Sequence, residues 1–210
     1  MEPKTGFFAL RPLHVDLGDV VVQVVAVALG VVLGFGVTAW NEQAHQRALL
    51  RETVGNIVAE LKSNQTGMHG VTGEHAKAEL VFDRLLAHAK ATHSVAFADA
   101  AKALRESGAV RMNIPLAIAW QIAQSDQGLT LFPYEDRYDL AWVYQLQAYY
   151  LESEQRYQNT LLSLSESPSG NYYFQVLNLS NQLHTVVSAE RQLDALYTQA
   201  AARARTEFNV

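Results

Sequence analysis

The side chains that could do chemistry are few and dispersed. Histidine occurs at 14, 45, 69, 75, 88, 93 and 184. A metal site needs imidazoles at helical or short-loop spacing, backed by carboxylates. The nearest approach is His69 with Glu74 and His75 in a glycine-rich stretch. No His-x-x-x-His or His-Glu-x-x-His occurs, and without such pairing these histidines read as exposed loop and helix-surface residues. No metal ligand and no cofactor is assigned from them. Glu135, Asp136 and Asp139 cluster closely enough to be imagined as a general acid and base, but acids gather at helix starts for electrostatic reasons alone. The second reading is preferred.

Motifs that would commit the chain to an enzyme class are missing. There is no Gly-x-Ser-x-Gly elbow, no phosphate-binding Gly-Lys-Ser/Thr loop and no dinucleotide fingerprint, which argues against hydrolases, nucleotide-dependent enzymes and kinases together. The chain has no cysteine, so disulfides, thiolate nucleophiles and Cys-based zinc or iron–sulfur sites are excluded. A non-enzymatic role with no catalytic residues is the expectation. The aromatic side chains are the richer signal. Phe132, Tyr149 and Tyr150 flank Trp120, Tyr134, Tyr138, Trp142 and Tyr144, and the last five are the candidate ligand or partner surface, because Trp and Tyr supply large rigid contact area. The competing reading makes the cluster the core of a helical domain.

Whatever these residues do, the elements around them must place them. Val20 to Trp40 is 21 residues without a charge, with Gln23 its one strongly polar side chain. As a helix it spans about 31 Å, the hydrocarbon thickness of a bilayer. Valine is a poor helix former in water, but lipid obliges every backbone amide to bond within the segment. Asp16 and Asp19 precede it and Trp40 ends it, where an interfacial aromatic belongs. A cleaved signal peptide, with Val37-Thr38-Ala39 as processing site, is disfavoured by the length of the run and the aspartates before it. A buried core helix is disfavoured by length. Ala26, Gly30, Gly34 and Thr38 recur every four residues and form a small-residue stripe suited to helix packing in the membrane.

The expected organisation is therefore a tail over 1–19, interfacial through Phe7, Phe8, Leu10 and Leu13, a transmembrane helix over 20–40 and a helical extramembrane domain over 41–210. Lys4 and Arg11 on one flank nearly balance Arg47 and Arg51 on the other. A cytoplasmic N-terminus with a periplasmic C-terminal domain is preferred, since a short tail is easily retained. Leu50, Val54, Ile57 and Leu61 continue the membrane helix to about Ser63. A loop is predicted at 64–73, where Gly67, Gly70 and Gly73 punctuate, and a second helix over 74–92 with Leu80, Val81, Leu85 and Leu86 inward. Further helices are predicted over 97–105, from Pro115 in a first turn to Ser125, from Tyr134 onward, and from Asn171 to about Glu207 after the break at 165–171. The last carries Val176, Leu179, Leu183, Val186, Glu190, Leu193, Tyr197 and Ala200, a three–four seam with one polar member. It is expected to pack within its own domain. The sum is an all-α chain, one membrane helix continuing into a bundle of about five.

Apolar residues make up 49% and charged residues 18% of the chain, with a net charge of −5. Basic residues stand singly, so nothing supplies the cationic face that nucleic acid requires. The implied partners are the lipid bilayer and other copies or other membrane subunits.

Two stretches also carry a resemblance. WNEQAHQRALLRETVGNIVAELKSN (40–64), directly after a membrane helix, and AWQIAQSDQGLTLFPYEDRYDLAWVYQLQ (119–147) resemble an uncharacterised family of bacterial single-pass inner-membrane proteins. Asp126-Gln127-Gly128 departs from the Thr-Gly turn that the family would place there. The resemblance implies the architecture and a bacterial inner-membrane location, and brings no catalytic residues. The function expected is that of an interaction or accessory subunit, self-associating in its simplest form. The alternative is a sensor-like domain holding a small ligand among the aromatics.

Overall fold

The computed structural model describes residues 17–108, 111–126, 128–164 and 170–208. Every regular element among them is helical: α1 (Leu17–Ala89), α2 (Phe97–Ser107), α3 (Ile118–Ser125), α4 (Tyr134–Ser163) and α5 (Tyr173–Phe208), with a 3-10 turn at Gly128–Leu131. The all-α class and the long apolar N-terminal helix are as the sequence implies. Residues 1–16, which include the interfacial candidates Phe7, Phe8, Leu10 and Leu13, lie outside the described residues, as do 165–169 of the predicted break. Residues 17–19, assigned to the tail, are already helical.

The chain divides into two units, Met1–Arg47 and Ala48–Val210. In the first, every described side chain from Val21 to Arg47 is exposed. The helix is long and apolar enough there to cross a membrane, and none of its most apolar stretch is buried in the protein. The core-helix alternative is thereby removed. Exposed valines of this kind are costly in water and favoured in an apolar surround.

In the second unit α1 continues without a break to Ala89, which corrects the loop predicted over 64–73. Three glycines cost a helix about 1 kcal/mol each relative to alanine, and the prediction followed from that local penalty. Burial overrides it. Val54, Ile57, Val58, Leu61, Asn64, Met68, Val71, His75, Ala78 and Phe82 are all buried, at spacings that keep one helical stripe through the glycines. Met68 and Phe82 are fully enclosed, each worth about 1.5–3 kcal/mol. At Gly67 a Cβ would stand 2.5 Å from Asn113 Oδ1, so that side-chain end would have to move to admit one. Leu80, predicted inward, is exposed, because the stripe through Ala78 and Phe82 turns position 80 outward.

Pro115 does not open a helix either. Residues 111–117 run as a non-helical strap and α3 begins at Ile118. The strap is tied to α1 by Asn64, whose Oδ1 accepts from Leu116 N–H and whose Nδ2 donates to Leu116 C=O, both at 2.7 Å. With its backbone satisfied by that side chain, Leu116 needs no helical partner. Glu60 completes the attachment by accepting the Ala119 N–H at 2.8 Å, placing a carboxylate at the N-terminus of α3. Gly108, at φ +82°, ends α2 in a conformation that disfavours side chains.

α4 and α5 lie against each other. The predicted seam of α5 is the buried face of its own unit: Val176, Leu179, Leu183, Val186, Glu190, Leu193 and Tyr197 are buried, and Ala200 is half-buried. The chain leading into α5 is fixed by Asn171, which accepts from Val95 N–H and donates to His93 C=O, beside a backbone bond from Tyr172 to Val95.

Candidate functional site

Three helices each contribute one ionisable side chain to a single dry point. α1 supplies His75, α4 supplies Glu154 and α5 supplies Glu190, all with side chains 0% exposed. Each is placed by the apolar periodicity around it. Glu154 sits between Tyr150 and Tyr157 on the buried face of α4, and Glu190 between Val187 and Leu193 on that of α5. His75 Nδ1 lies 2.5 Å from Glu190 Oε1, and His75 Nε2 lies 3.2 Å from Glu154 Oε1. The hydroxyl of Tyr150 donates to the same Glu154 oxygen at 3.4 Å.

Burial acts to lower the basicity of His75, but the Glu190 hydrogen bond and the charges of Glu190 and Glu154 outweigh it and hold the imidazole above its usual range. Burial raises Glu154, against the attraction of His75. Burial, then the charge of Glu154, suppresses ionisation of Tyr150 and Tyr157. Eight buried side-chain atoms among the described residues lack a hydrogen-bond partner, and four belong here: His75 Nε2, Glu154 Oε2, Tyr157 Oη and Glu190 Oε2. Buried polar atoms are nearly always paired, so their concentration at one point is the chemical signature of this site.

The grouping of His69, Glu74 and His75, considered and set aside from the sequence, does not form, but the reading of His75 as an exposed surface histidine is corrected, since its side chain is fully buried. On a continuous helix the three diverge: His69 meets Asp194 at 2.7 Å, Glu74 meets Arg111 at 2.7 Å and His75 turns into the core. Its partners lie 79 and 115 residues away in sequence, a separation no local motif encodes. The available signals were Glu190, the polar member of an otherwise apolar seam, and Glu154 between two inward tyrosines.

A second feature is a cavity of about 480 Å³ walled by Val54, Ile57 and Leu61 of α1, Phe132, Leu140, Trp142 and Val143 in and before α4, and Leu196, Ala200 and Phe208 of α5. Charges cluster in its lining. Arg203 reaches Asp136 at 2.8 Å, Asp139 at 2.5 Å, Glu207 at 2.9 Å and Glu135 at 3.9 Å. The helix-start acids are thus ion-pair partners of one guanidinium. Burial raises the Asp136 carboxyl, Arg203 opposes it, and Glu207 adds to the rise.

The five aromatic candidates do not form one surface. Trp120 and Tyr144 are buried and stacked, with centroids 4.9 Å apart and planes at 12°. Tyr144 donates to Glu60 at 2.7 Å, so this pair belongs to the core. Tyr134, Tyr138 and Trp142 are exposed, Tyr134 carrying the guanidinium of Arg137 over its ring. Of the small-residue stripe predicted for a membrane helix, Ala26, Gly30, Gly34 and Thr38 are all exposed. A Cβ on Gly30 or Gly34 would touch nothing, and Thr38 donates to Gly34 C=O at 2.9 Å.

No family model, curated protein or solved structure matches the chain significantly. The reading of function rests on the residues themselves.

Proposed function

We propose that the protein is a membrane-anchored, non-enzymatic interaction or accessory subunit of a bacterial inner-membrane assembly, its N-terminal helix in the lipid, its N-terminus cytoplasmic and its helical bundle periplasmic. The observation that carries the interaction role is an apolar ledge beside α1. Met112, Ile114, Leu116, Ile118 and Ile122 are between 42% and 62% exposed. In the strap, outward Met112, Ile114 and Leu116 alternate with half-buried Asn113 and buried Pro115, the period of an extended chain. Ile118 and Ile122 then share one face of α3. Clustered exposed apolar side chains mark interaction sites more often than isolated ones do, and Asn64 and Glu60 hold this ledge in place before any partner arrives. The unpartnered Gly30–Gly34 stripe offers a second surface within the bilayer.

Purification of the full chain in mild detergent, with mass measurement and identification of co-purifying proteins, tests the proposal. The expected result is a self-associated or hetero-oligomeric species that Ile114→Asp with Ile118→Asp reduces to monomer at unchanged helicity. A wild-type monomer with nothing bound overturns it.

The 480 Å³ cavity favours a second reading, a ligand-binding domain. Its lining and rim set four carboxylates against Arg203, so the ligand it suits is an apolar body with a cationic head.

A further inference from the structure

We propose that His75, Glu154 and Glu190 bind one divalent first-row transition-metal ion of the zinc class in the core of the helical domain. Ligand atoms from the three residues lie within 4.8 Å of one another, a spread that small rotamer changes close to the separations of a tetrahedral site. The orphan atoms supply the rest of the argument. Glu154 Oε2 and Glu190 Oε2 lack a hydrogen-bond partner, and His75 Nε2 has only its 3.2 Å ion-pair contact with Glu154 Oε1, one nitrogen and two carboxylate oxygens. Tyr157 Oη, also without a hydrogen-bond partner, lies one turn from Glu154 on the same face of α4.

The other imidazole nitrogen is already in the arrangement that metal-bound histidines share. A proton on Nδ1, donated to Glu190 Oε1 at 2.5 Å, fixes the tautomer that leaves Nε2 as a lone-pair donor. Nε2 faces Glu154 Oε1 at 3.2 Å, where either a proton or a metal ion must stand between the two atoms. Charge counting agrees. An imidazolium and two carboxylates leave a net −1 in a dry core, a burden for buried groups, and a divalent ion that displaces the imidazole proton brings the sum to zero. No other Lys, Arg or His among the described residues makes an ion pair with Glu154 or Glu190. The donor set of imidazole and carboxylate, without thiolate, suits zinc, cobalt or manganese rather than copper(I) or an iron–sulfur cluster. Three helices meeting at one ion would make the metal a clasp for α1, α4 and α5, a different role from the apolar ledge.

The full chain in mild detergent, stripped by unfolding in chelator and refolded with Zn2+ or Co2+, tests this. The expected result is one ion per chain retained through gel filtration, a tetrahedral cobalt absorption band, and a rise in Tm on adding Zn2+. Glu154→Gln keeps the side chain's size and should lose at least 10- to 100-fold in affinity, the range reported even for outer-shell partners, and should lose the Tm rise. If Glu154→Gln does not fold, Glu190→Gln is read in its place. If neither folds, wild-type metal content decides, one retained ion supporting the site and none overturning it. Equal affinity in wild type and Glu154→Gln, or Zn2+ bound without a change in Tm, also overturns it.

Discussion

Two charged clusters of the helical domain differ in their access to water. At the Arg203 cluster four carboxylates, of which only Asp136 is buried, surround one guanidinium that is 38% exposed, and solvent screens most of the charge left over. At the His75 cluster two carboxylates surround one imidazole with no exposure at all, and nothing but a proton or a bound ion can compensate. Similar residues thus carry different consequences. The wet cluster is ordinary surface chemistry that a helix start attracts. The dry one incurs a desolvation cost of several kcal/mol per ion, and a cost of that size calls for a reason beyond packing.

The largest effect should therefore come from breaking the dry cluster. His75→Ala, measured by thermal melting of the full chain in EDTA, is expected to destabilise by about 3–5 kcal/mol, because two carboxylates remain buried without a cation. The paired experiment is the more informative. Replacing His75, Glu154 and Glu190 together by Leu, Met and Met removes the charges while filling their volume. Such replacements are commonly neutral or stabilising by about 1–4 kcal/mol. If the triple variant is as stable as wild type, the cluster is retained for something other than stability. A triple variant as unstable as His75→Ala would make it simply structural and erase the contrast with Arg203.

A smaller effect is expected at the wet cluster. Arg203→Met should lower Tm less than any single change in the dry cluster, since exposed pairs contribute little and Asp136 is the one buried partner, and its own deficit against wild type should grow as ionic strength falls. The same variant sharpens the ligand reading. Removing the one cation leaves Glu135, Asp136, Asp139 and Glu207 unopposed, so a short alkylammonium probe should bind Arg203→Met more tightly than wild type at low salt. Equal binding would detach the cavity from its charged rim.

What could be read in advance, and what could not, follows the range of each interaction. The seam from Val176 to Tyr197 was legible because a helix repeats its buried face every three or four residues, and the start of α4 at Tyr134 because Pro133 and the acids Glu135 and Asp136 mark it. Gly67, Gly70, Gly73 and Pro115 misled for one shared reason. Their penalties are local and visible, while what overrides them (Met68 and His75 in the core, Asn64 clamping Leu116) lies on other elements. The dry cluster was half legible. Glu190 stood out in its seam, but His75 could not be assigned to it while residues 64–73 read as a loop, since only an unbroken α1 carries position 75 on the same buried stripe as Leu61 and Met68.

The smallest effect tests an intermediate case. Asp194 on α5 is 42% exposed and accepts from Gln65 at 2.7 Å, with His69 also at 2.7 Å. The Gln65 hydrogen bond holds its carboxyl below the ordinary 3.8, burial opposes, and His69 adds to the lowering. A carboxyl depressed in the folded state binds its proton less tightly there than when unfolded. Its contribution is therefore complete above pH 3.8 and lost as pH falls below that value through the folded pKa. Gln65→Ala should leave stability nearly unchanged in acid and lower it slightly near neutrality, so the pH dependence of unfolding below pH 4 becomes shallower. Parallel acid limbs for wild type and variant would show that solvent already does at Asp194 what Gln65 does, and would move this group to the wet side of the contrast.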